Sequence, residues 1–123
     1  MRKIVIIEDD TALLASYKQA FDGEGFEILE ASSVDEGLKC IMSSLPSLIL
    51  LDIMLPGGKN GFDALEVLKR NPQTAHIPVI VLTNLDTEEE TARSIGASDY
   101  LVKSNVSILE IIKKVKQFAL PTQ

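Results

Sequence analysis

The sequence predicts an α/β fold with a doubly wound, five-stranded parallel sheet in the order 2-1-3-4-5 and five helices. Short apolar runs occur at residues 3–8, 47–52 and 77–83. Runs that are apolar throughout, without alternation, are typical of strands that are covered on both faces. Stretches of helical periodicity separate them, and this alternation favours a parallel sheet with right-handed crossovers. The order 2-1-3-4-5 is common in five-stranded sheets of this kind.

Two weaker strand candidates complete the pattern. Residues 26–31 and 99–102 lie between helical stretches, which makes them the second and fifth strands. No linker and no internal repeat interrupts the alternation. We therefore expect a single domain over residues 1–123.

Four of the five helices show apolar residues at helical spacing, which predicts one buried face for each. Asp10 or Thr11 caps the first helix, and capping boxes at residues 33–36 and 107–110 open the second and the fifth. The apolar faces consist of Leu13, Leu14, Tyr17 and Phe21; Val34, Leu38, Ile41 and Met42; Phe62, Leu65 and Leu68; and Ile108, Ile111, Ile112, Val115 and Ala119.

The fourth helix, at about residues 87–95, has the weakest pattern. Its first turn carries the glutamates at 88–90, which are favourable near the positive end of a helix. Only Ala92 and Ile95 offer apolar area. We expect this helix to be the most loosely held of the five.

Composition and charge exclude several classes of protein. The chain has 123 residues, 46% of them hydrophobic and 24% charged, which is ordinary globular composition. A formal charge of −6 argues against nucleic acid or an anionic membrane as a direct partner, because both select basic surfaces. The single cysteine, Cys40, excludes an internal disulfide and a cysteine metal cluster, and favours a reducing cytoplasm. The apolar runs are too short for a signal peptide or a membrane span.

Polar residues follow four of the predicted strands. These strand ends carry Glu8, Asp9 and Asp10; Asp52; Thr83; and Lys103. In the order 2-1-3-4-5 the four strands are neighbours, so their ends meet at one edge of the sheet, where folds of this kind bind ligands. Each residue alone has an ordinary explanation, such as a helix cap, a turn, a buried threonine or a solvated lysine. Together they place carboxylates side by side, an arrangement that recruits a cation.

The residue types at this edge favour a divalent cation. Oxygen ligands without a nearby histidine or cysteine favour Mg²⁺ or Mn²⁺ over zinc. We expect Asp9 and Asp52 to bind the metal directly and Glu8 to act through water. The backbone carbonyl of Met54, two residues after Asp52, is expected to complete the ligand set.

The same edge predicts phosphoryl transfer. The Asp52 carboxylate is the expected nucleophile, which would attack phosphorus and form an aspartyl phosphate. The metal and the Lys103 ammonium would stabilise the charge on the transferring group. The Thr83 hydroxyl would donate to a phosphoryl oxygen once the group is in place.

Four segments, IVIIEDD, LLDIMLPGG, IPVIVLT and GASDYLVK, resemble the motifs of bacterial response-regulator receiver domains in order and spacing. The resemblance covers almost the whole chain and implies a flavodoxin-like fold and a role in two-component signal transduction, similar to stand-alone chemotaxis regulators. The roles that it implies are Asp52 as phosphoacceptor, Glu8 and Asp9 as the acidic pair, Lys103 as the phosphate-contacting lysine, Thr83 as the switch hydroxyl and Tyr100 as the aromatic switch that turns inward.

The resemblance also implies partners. The phosphodonor would be a histidine kinase or a phosphotransfer protein, and a downstream protein would bind the face formed by helix 4, strand 5 and helix 5. On that face helix 4 carries the glutamates at 88–90 and helix 5 carries the lysines at 113, 114 and 116, a split that is compatible with a weak homodimer. The chain would catalyse only its own phosphorylation and dephosphorylation, and would be either a stand-alone receiver or a piece of a longer protein.

The sequence departs from the usual receiver pattern in four ways. Ser104 replaces the proline that commonly follows the lysine through a cis bond, and Asn84 replaces a small residue after the switch threonine. The loop at 56–61 is one residue longer than usual. Met54 and Leu85 stand where other receivers often carry polar groups that orient a hydrolytic water, which predicts slow autodephosphorylation.

Three other functions fit parts of the pattern. A haloacid-dehalogenase-like phosphatase needs a second aspartate two residues after the nucleophile, where this chain has Met54. A flavodoxin-like FMN carrier needs a phosphate-binding loop after the first strand, and the EDDTA segment would repel phosphate. A phosphate-independent interaction module with the same fold remains open, because Ser104 and Asn84 depart from the acceptor pattern.

Overall fold

The structure, a computed structural model, describes residues 2–119. Strands and helices alternate along the chain as predicted. Their bounds are β1 Arg2–Ile7, α1 Thr11–Phe21, β2 Phe26–Ala31, α2 Val34–Ser44, β3 Leu48–Leu51, α3 Gly61–Arg70, β4 Val79–Thr83, α4 Glu89–Ile95, β5 Asp99–Val102 and α5 Ile108–Ala119. A 3₁₀ turn, Lys103–Asn105, connects β5 to α5.

All strand pairs in the sheet are parallel, and the strand order is β2-β1-β3-β4-β5. The predicted fold class and strand order are therefore confirmed. Ile7 pairs with Leu51, so the residues that follow them at the carboxyl edge, Glu8 and Asp52, are direct neighbours. The register of the sheet thus brings two acidic side chains together before any loop is considered.

Helices cover both faces of the sheet. Helices α1 and α5 pack on one face, which we call the α1/α5 face, and α2, α3 and α4 pack on the other, the α2–α4 face. Side chains along a strand point alternately to the two faces. In β1, for example, Ile4 and Ile6 pack on the α1/α5 face, whereas Val5 and Ile7 pack on the α2–α4 face. This double coverage explains why the central strands are apolar throughout.

The helix starts agree with the sequence in most details. Asp10 caps α1 and accepts a hydrogen bond from the Leu13 amide at 3.1 Å. The capping box at residues 107–110 is complete. At residues 33–36 it is half formed, because the Glu36 carboxylate accepts from the amide of Ser32 instead of that of the cap residue. Helix α3 has a capping box at residues 60–63 that the sequence analysis did not predict.

Two helices show the limits of the apolar pattern. Met42 was placed on the buried face of the second helix, but it lies in the last turn of α2 and is 43% exposed. Helix α4 spans only seven residues, and Ala92 is its one buried residue. Within the described residues, its cap Glu88 makes no side-chain hydrogen bond. These features support the expectation that α4 is the most loosely held helix.

No helix between residues 2 and 119 is long and apolar enough to cross a membrane.

The first residue of α3 packs directly against the chain that carries Asp52. A Cβ atom on Gly61 would lie 2.7 Å from the Ile53 Cα and closer still to the Asp52 carbonyl oxygen. Both contacts are with backbone, which cannot rotate away as a side chain can. A glycine is therefore required where α3 starts beneath the end of β3.

We predict that Gly61→Ala lowers the free energy of unfolding by about 1–3 kcal/mol, the usual cost of overpacking a well-packed core. Urea unfolding at neutral pH measures this change. Val67→Ala, at a half-exposed position on the same helix, is the control and should change stability by less than about 0.5 kcal/mol. Equal stability of Gly61→Ala and the parent protein would contradict the close contact.

Candidate functional site

Glu8, Asp52 and Lys103 project from the same face of the sheet. Each lies two positions after a strand residue that packs on the α1/α5 face, namely Ile6, Leu50 and Leu101. Because side chains alternate along a strand, the three functional groups continue that row beyond the carboxyl ends of β1, β3 and β5. The sequence-predicted acid, acceptor and lysine therefore meet at the predicted edge.

Three carboxylates form a compact acidic cluster at this edge. One oxygen from each of Glu8, Asp9 and Asp52 lies within 4.8 Å of the others. Glu8 and Asp52 are buried, at 3% and 6% exposure, whereas Asp9 is exposed. At this separation two like charges repel by roughly 3–4 kcal/mol in the effective dielectric of a protein site. The cluster therefore requires a positive charge.

Lys103 supplies a positive charge in this structure. Its ammonium donates to Asp52 Oδ2 at 2.8 Å and also to Glu8 Oε1. The lysine side chain is only 15% exposed. The ammonium thus bridges the two buried carboxylates and leaves the exposed one, Asp9, facing solvent.

The protonation of these groups follows from burial and pairing. Burial raises the pKa of Glu8 above its ordinary value, and the nearby Asp52 charge adds to this, whereas hydrogen bonds from Lys103 and the Asp10 amide oppose it. For Lys103, burial alone would lower the pKa, but hydrogen bonds to Asp52 and Glu8 outweigh burial and raise it. The lysine is therefore firmly charged at neutral pH.

The acidic cluster fits a hard divalent cation. All three side chains offer oxygen, and their oxygens are close enough to share one ion, which is the donor set that Mg²⁺ and Mn²⁺ prefer. Met54 lies in the loop after β3, and its amide donates to Asp52 Oδ1 at 3.1 Å. This bond orients one carboxylate oxygen. That the backbone carbonyl of Met54 also binds the metal stays a prediction.

Thr83 and Tyr100 lie on the opposite face of the sheet. Thr83 is completely buried at the end of β4, and Tyr100 is 7% exposed, so its ring is turned into the protein. The backbone of Leu85 connects them, since its amide donates to Thr83 Oγ1 at 3.4 Å and its carbonyl accepts from the Tyr100 hydroxyl. The two predicted switch residues therefore share one segment of the β4–α4 loop.

Comparison with known proteins decides the family. The response regulator receiver domain profile matches residues 4–116. The chain belongs to the response regulator receiver family. The resemblance in the sequence motifs is thereby confirmed, and with it a place among the receivers of two-component systems, whose family role is to accept a phosphoryl group.

Individual relatives agree with this assignment. The phosphate regulon transcriptional regulatory protein PhoB of Klebsiella pneumoniae is 35% identical over 117 residues, which cover 94% of this chain and 50% of PhoB. A CheY-like receiver domain protein from Methanospirillum hungatei JF-1 has a TM-score of 0.86 at 31% identity, covering 95% of this chain and 92% of that one. The phosphorylated cyanobacterial phytochrome response regulator RcpA has a TM-score of 0.85 at 26% identity, covering 99% and 96%.

The chain thus spans about half the length of the curated relatives such as PhoB. What the rest of such a relative does is a property of that relative. For this receiver, the expectation that nucleic acid is not a direct partner stays a prediction.

In this receiver Lys103 reaches the site although the residue that follows it is Ser104 and not proline. No peptide bond within residues 2–119 is cis, so the Lys103–Ser104 bond is trans. The 3₁₀ turn that begins at Lys103 carries the chain away from the sheet edge, while the lysine side chain extends back to the carboxylates. The sequence allowed either a strained cis bond after Lys103 or a trans bond with a displaced lysine. The structure has the trans bond, and the Lys103 ammonium still binds Glu8 and Asp52.

The other departures from the usual receiver pattern are at Asn84, at Met54 and in the loop after β3, which border the acidic cluster. Asn84 is exposed directly after the buried Thr83. Met54 is 58% exposed. The loop after β3 contacts α2, where Lys59 forms an ion pair of 2.8 Å with Asp35. The loop is thus attached to a neighbouring helix at one side of the site.

We predict that Lys103→Met destabilises the metal-free protein by about 3 kcal/mol at neutral pH, because two buried carboxylates lose their counter-charge. The pKa of Lys103 is raised by folding, so its contribution is complete below the ordinary lysine pKa and disappears only in strong alkali. The pKa of Glu8 is also raised, so lowering the pH toward that pKa protonates the carboxyl and reduces the deficit of the variant.

Urea unfolding with and without Mg²⁺ checks this prediction. A cation bound by the three carboxylates replaces the missing ammonium, so Mg²⁺ should stabilise Lys103→Met more than it stabilises the parent protein. The control is Lys59→Met, whose ion pair is exposed and which Mg²⁺ should stabilise by the same amount as the parent protein. An equal effect of Mg²⁺ on Lys103→Met and the parent would contradict the bridging role of Lys103.

Proposed function

We propose that this receiver takes a phosphoryl group onto Asp52 from the phosphohistidine of a histidine kinase or a phosphotransfer protein. The observation that carries the proposal is the convergence of the buried Asp52 carboxylate, two further carboxylates and a lysine ammonium at the carboxyl edge of the sheet. A nucleophile beside an ammonium and a cation-binding cluster is the combination that phosphoryl transfer requires.

The chemistry assigns a role to each group. An Asp52 carboxylate oxygen attacks phosphorus, the bond between phosphorus and the donor imidazole breaks, and the imidazole leaves. The Lys103 ammonium stabilises charge on the phosphoryl oxygens. The Thr83 hydroxyl donates to one of those oxygens after transfer. The chain catalyses only its own phosphorylation and dephosphorylation and is not an enzyme in the usual sense.

The proposed metal is Mg²⁺, with Mn²⁺ as a substitute of similar ligand preference. The residues that would hold it are Asp9 and Asp52 directly, Glu8 through water, and the backbone carbonyl of Met54. When bound, the cation neutralises charge between the acceptor carboxylate and the incoming phosphoryl group.

The proposed output is a change at the β4–α4 loop. Thr83 and Tyr100 both contact the backbone of Leu85, so a Thr83 hydroxyl that turns toward a phosphoryl oxygen gives up its bond with the Leu85 amide. That change alters the loop on which the Tyr100 hydroxyl depends. The phosphorylated relative RcpA, 26% identical, supports a phosphorylation-dependent state in this fold.

The proposed contact surface for a downstream protein is the face of α4, β5 and α5. Asp99 in β5 binds Arg93 of α4 at 2.8 Å and Lys114 of α5 at 2.9 Å. These ion pairs connect the three elements, so a movement of α4 changes the charges that the whole face presents. Glu89 pairs with Arg93 within α4. Lys116, which the sequence grouped with the other lysines of this helix, instead pairs with Glu24 in the loop after α1. The other charged side chains of α4 and α5 suit either a downstream partner or a weak homodimer.

We predict that incubation with Mg²⁺ and acetyl phosphate increases the intact mass of the protein by one phosphoryl group. Asp52→Asn should show no increase, because an amide is not a competent nucleophile. Asp63→Asn, an exposed carboxylate on α3, is the matched control and should be modified like the parent. Omission of Mg²⁺ should abolish the reaction.

A parent protein that gains no mass, even with a competent histidine kinase, would favour the phosphate-independent interaction module. The exposed Asn84 and the non-proline Ser104 would then be the residues to replace first.

We predict that the aspartyl phosphate of this receiver is long-lived. Met54 and Leu85 flank the site with apolar side chains, so no side chain at these positions holds a water in line for attack on phosphorus. Loss of the phosphoryl mass after removal of the donor measures the lifetime. Met54→Gln should shorten the lifetime, whereas Met54→Leu should leave it unchanged. A lifetime of seconds in the parent protein would contradict the prediction.

A further inference from the structure

Lys69 is a half-buried lysine in the last turn of α3, and its ammonium binds backbone carbonyls. It donates to the carbonyl of Ala75 at 3.0 Å and to that of Ile77 at 2.8 Å. Lysines near a helix C-terminus often bind the last carbonyls of their own helix, but these two belong to the segment between α3 and β4. Within residues 2–119 the Lys69 ammonium forms no ion pair. The lysine is thus partly removed from water without a carboxylate that balances its charge.

The surroundings of Lys69 cover its stem and leave one side open. Gly96 follows α4, and a Cβ atom at this position would lie 2.9 Å from the Lys69 Cγ. The stem therefore lies directly against the turn after α4. Lys69 also lines an open groove of about 330 Å³ with Glu66, Arg70 and Ile95. The two charged neighbours in this groove pair with each other at 3.7 Å, so their charges offset each other next to Lys69.

The other lysines of the described chain with ion pairs are held by carboxylates. A carboxylate stabilises the protonated form of a lysine, because opposite charges favour the charged form of each partner. Lys39 and Lys113 are exposed, and water solvates their ammonium groups. Lys69 differs from both groups, since it is half-buried and bound by neutral acceptors. The paired lysines are Lys18, Lys59, Lys103, Lys114 and Lys116.

The hydrogen bonds of Lys69 suit a neutral amine as well as an ammonium. An ammonium has three N–H donors, and loss of one proton leaves two donors and a lone pair. The carbonyls of Ala75 and Ile77 take two donors, which leaves the lone pair free of them. Burial lowers the pKa of Lys69 below its ordinary value, because desolvation disfavours the charged form. A larger fraction of Lys69 is therefore neutral at a given pH than of an exposed lysine.

We propose that Lys69 is a modification site, at which a small acyl phosphate such as acetyl phosphate acetylates the side-chain amine. The lone pair of the Lys69 Nζ attacks the carbonyl carbon of the acetyl group. The bond between that carbon and the phosphate oxygen breaks, and inorganic phosphate leaves with the bonding electrons. The nitrogen gives a proton to solvent, and an amide remains. A partly desolvated lysine is a nucleophile of the kind this step requires. The reaction forms no bond to Asp52 and thus goes beyond the proposed phosphorylation.

Acetylation would change the segment that leads into β4. An amide nitrogen with one N–H serves only one of the two carbonyls that Lys69 now binds, so the other loses its donor. Segment 71–77 should then open more often. The Ile77 amide, which donates to the Thr74 carbonyl at 3.0 Å, should exchange with deuterium about 3- to 10-fold faster.

The first test is peptide mapping by mass spectrometry after incubation of the protein with acetyl phosphate at mildly alkaline pH. Lys69 should gain an acetyl group about 3- to 10-fold faster than the exposed Lys39 and Lys113. In the urea-unfolded chain the three lysines should react at similar rates, because the surroundings of Lys69 are lost. The rate at Lys69 should also level off at a lower pH than the rate at Lys39. A folded protein in which Lys69 reacts no faster than the two exposed lysines overturns the proposal.

Two variants separate this reaction from other effects of acetyl phosphate. Asp52→Asn takes no phosphoryl group in the proposed function and should be acetylated at Lys69 at the same rate as the parent protein, so either proposal fails without the other. Lys69→Arg keeps the positive charge and several N–H donors, but a guanidinium does not lose its proton. After the same treatment, Ile77 exchange should rise in the parent and stay unchanged in Lys69→Arg. An equal rise in both proteins would overturn the link between Lys69 and this segment.

Discussion

Two buried carboxylates at neighbouring strand ends repel each other unless a cation lies against both, and this constraint organises the rest of the site. The pairing of Ile7 with Leu51 fixes Glu8 beside Asp52. The two carboxylates therefore cannot move apart unless this strand pairing breaks. Lys103 arrives from β5, across the intervening strand β4, and binds both carboxylates. Four strands must therefore stay in register for the charges to balance, which couples the integrity of the sheet to the chemistry at its edge.

In the proposed mechanism, the sheet also separates the phosphoryl chemistry from the switch residues. The acceptor, the acid and the lysine project toward α1 and α5, whereas Thr83 and Tyr100 project toward the helices of the other face. A group bound at the carboxyl edge, beyond the last strand residues, is reachable from both faces. In the proposed mechanism, phosphorylation of Asp52 acts through Thr83 on the Leu85 backbone, to which Thr83 and Tyr100 both bond.

The sequence predicted the parts of the fold that depend on periodicity and strand order, and it was least informative where packing decides. Unbroken apolar runs predicted the central strands, and the order of the strands then placed Glu8, Asp52 and Lys103 together. The exposure of Met42 was not predictable, because periodicity shows which face of a helix is apolar but not which residues of that face are buried. The close contact of Gly61 with the backbone of Asp52 depends on the path of the loop between them, which the sequence does not show.

The positions of Lys103 and of the metal are linked by competition. The ammonium occupies the same two carboxylates that are expected to face the cation, so metal binding must weaken at least one of its ion pairs. A lysine freed in this way is available to the phosphoryl oxygens at the moment when the cation is also present. The affinity of the site for the metal and the position of the Lys103 ammonium therefore both report one equilibrium, in which the cation and the ammonium compete for Glu8 and Asp52.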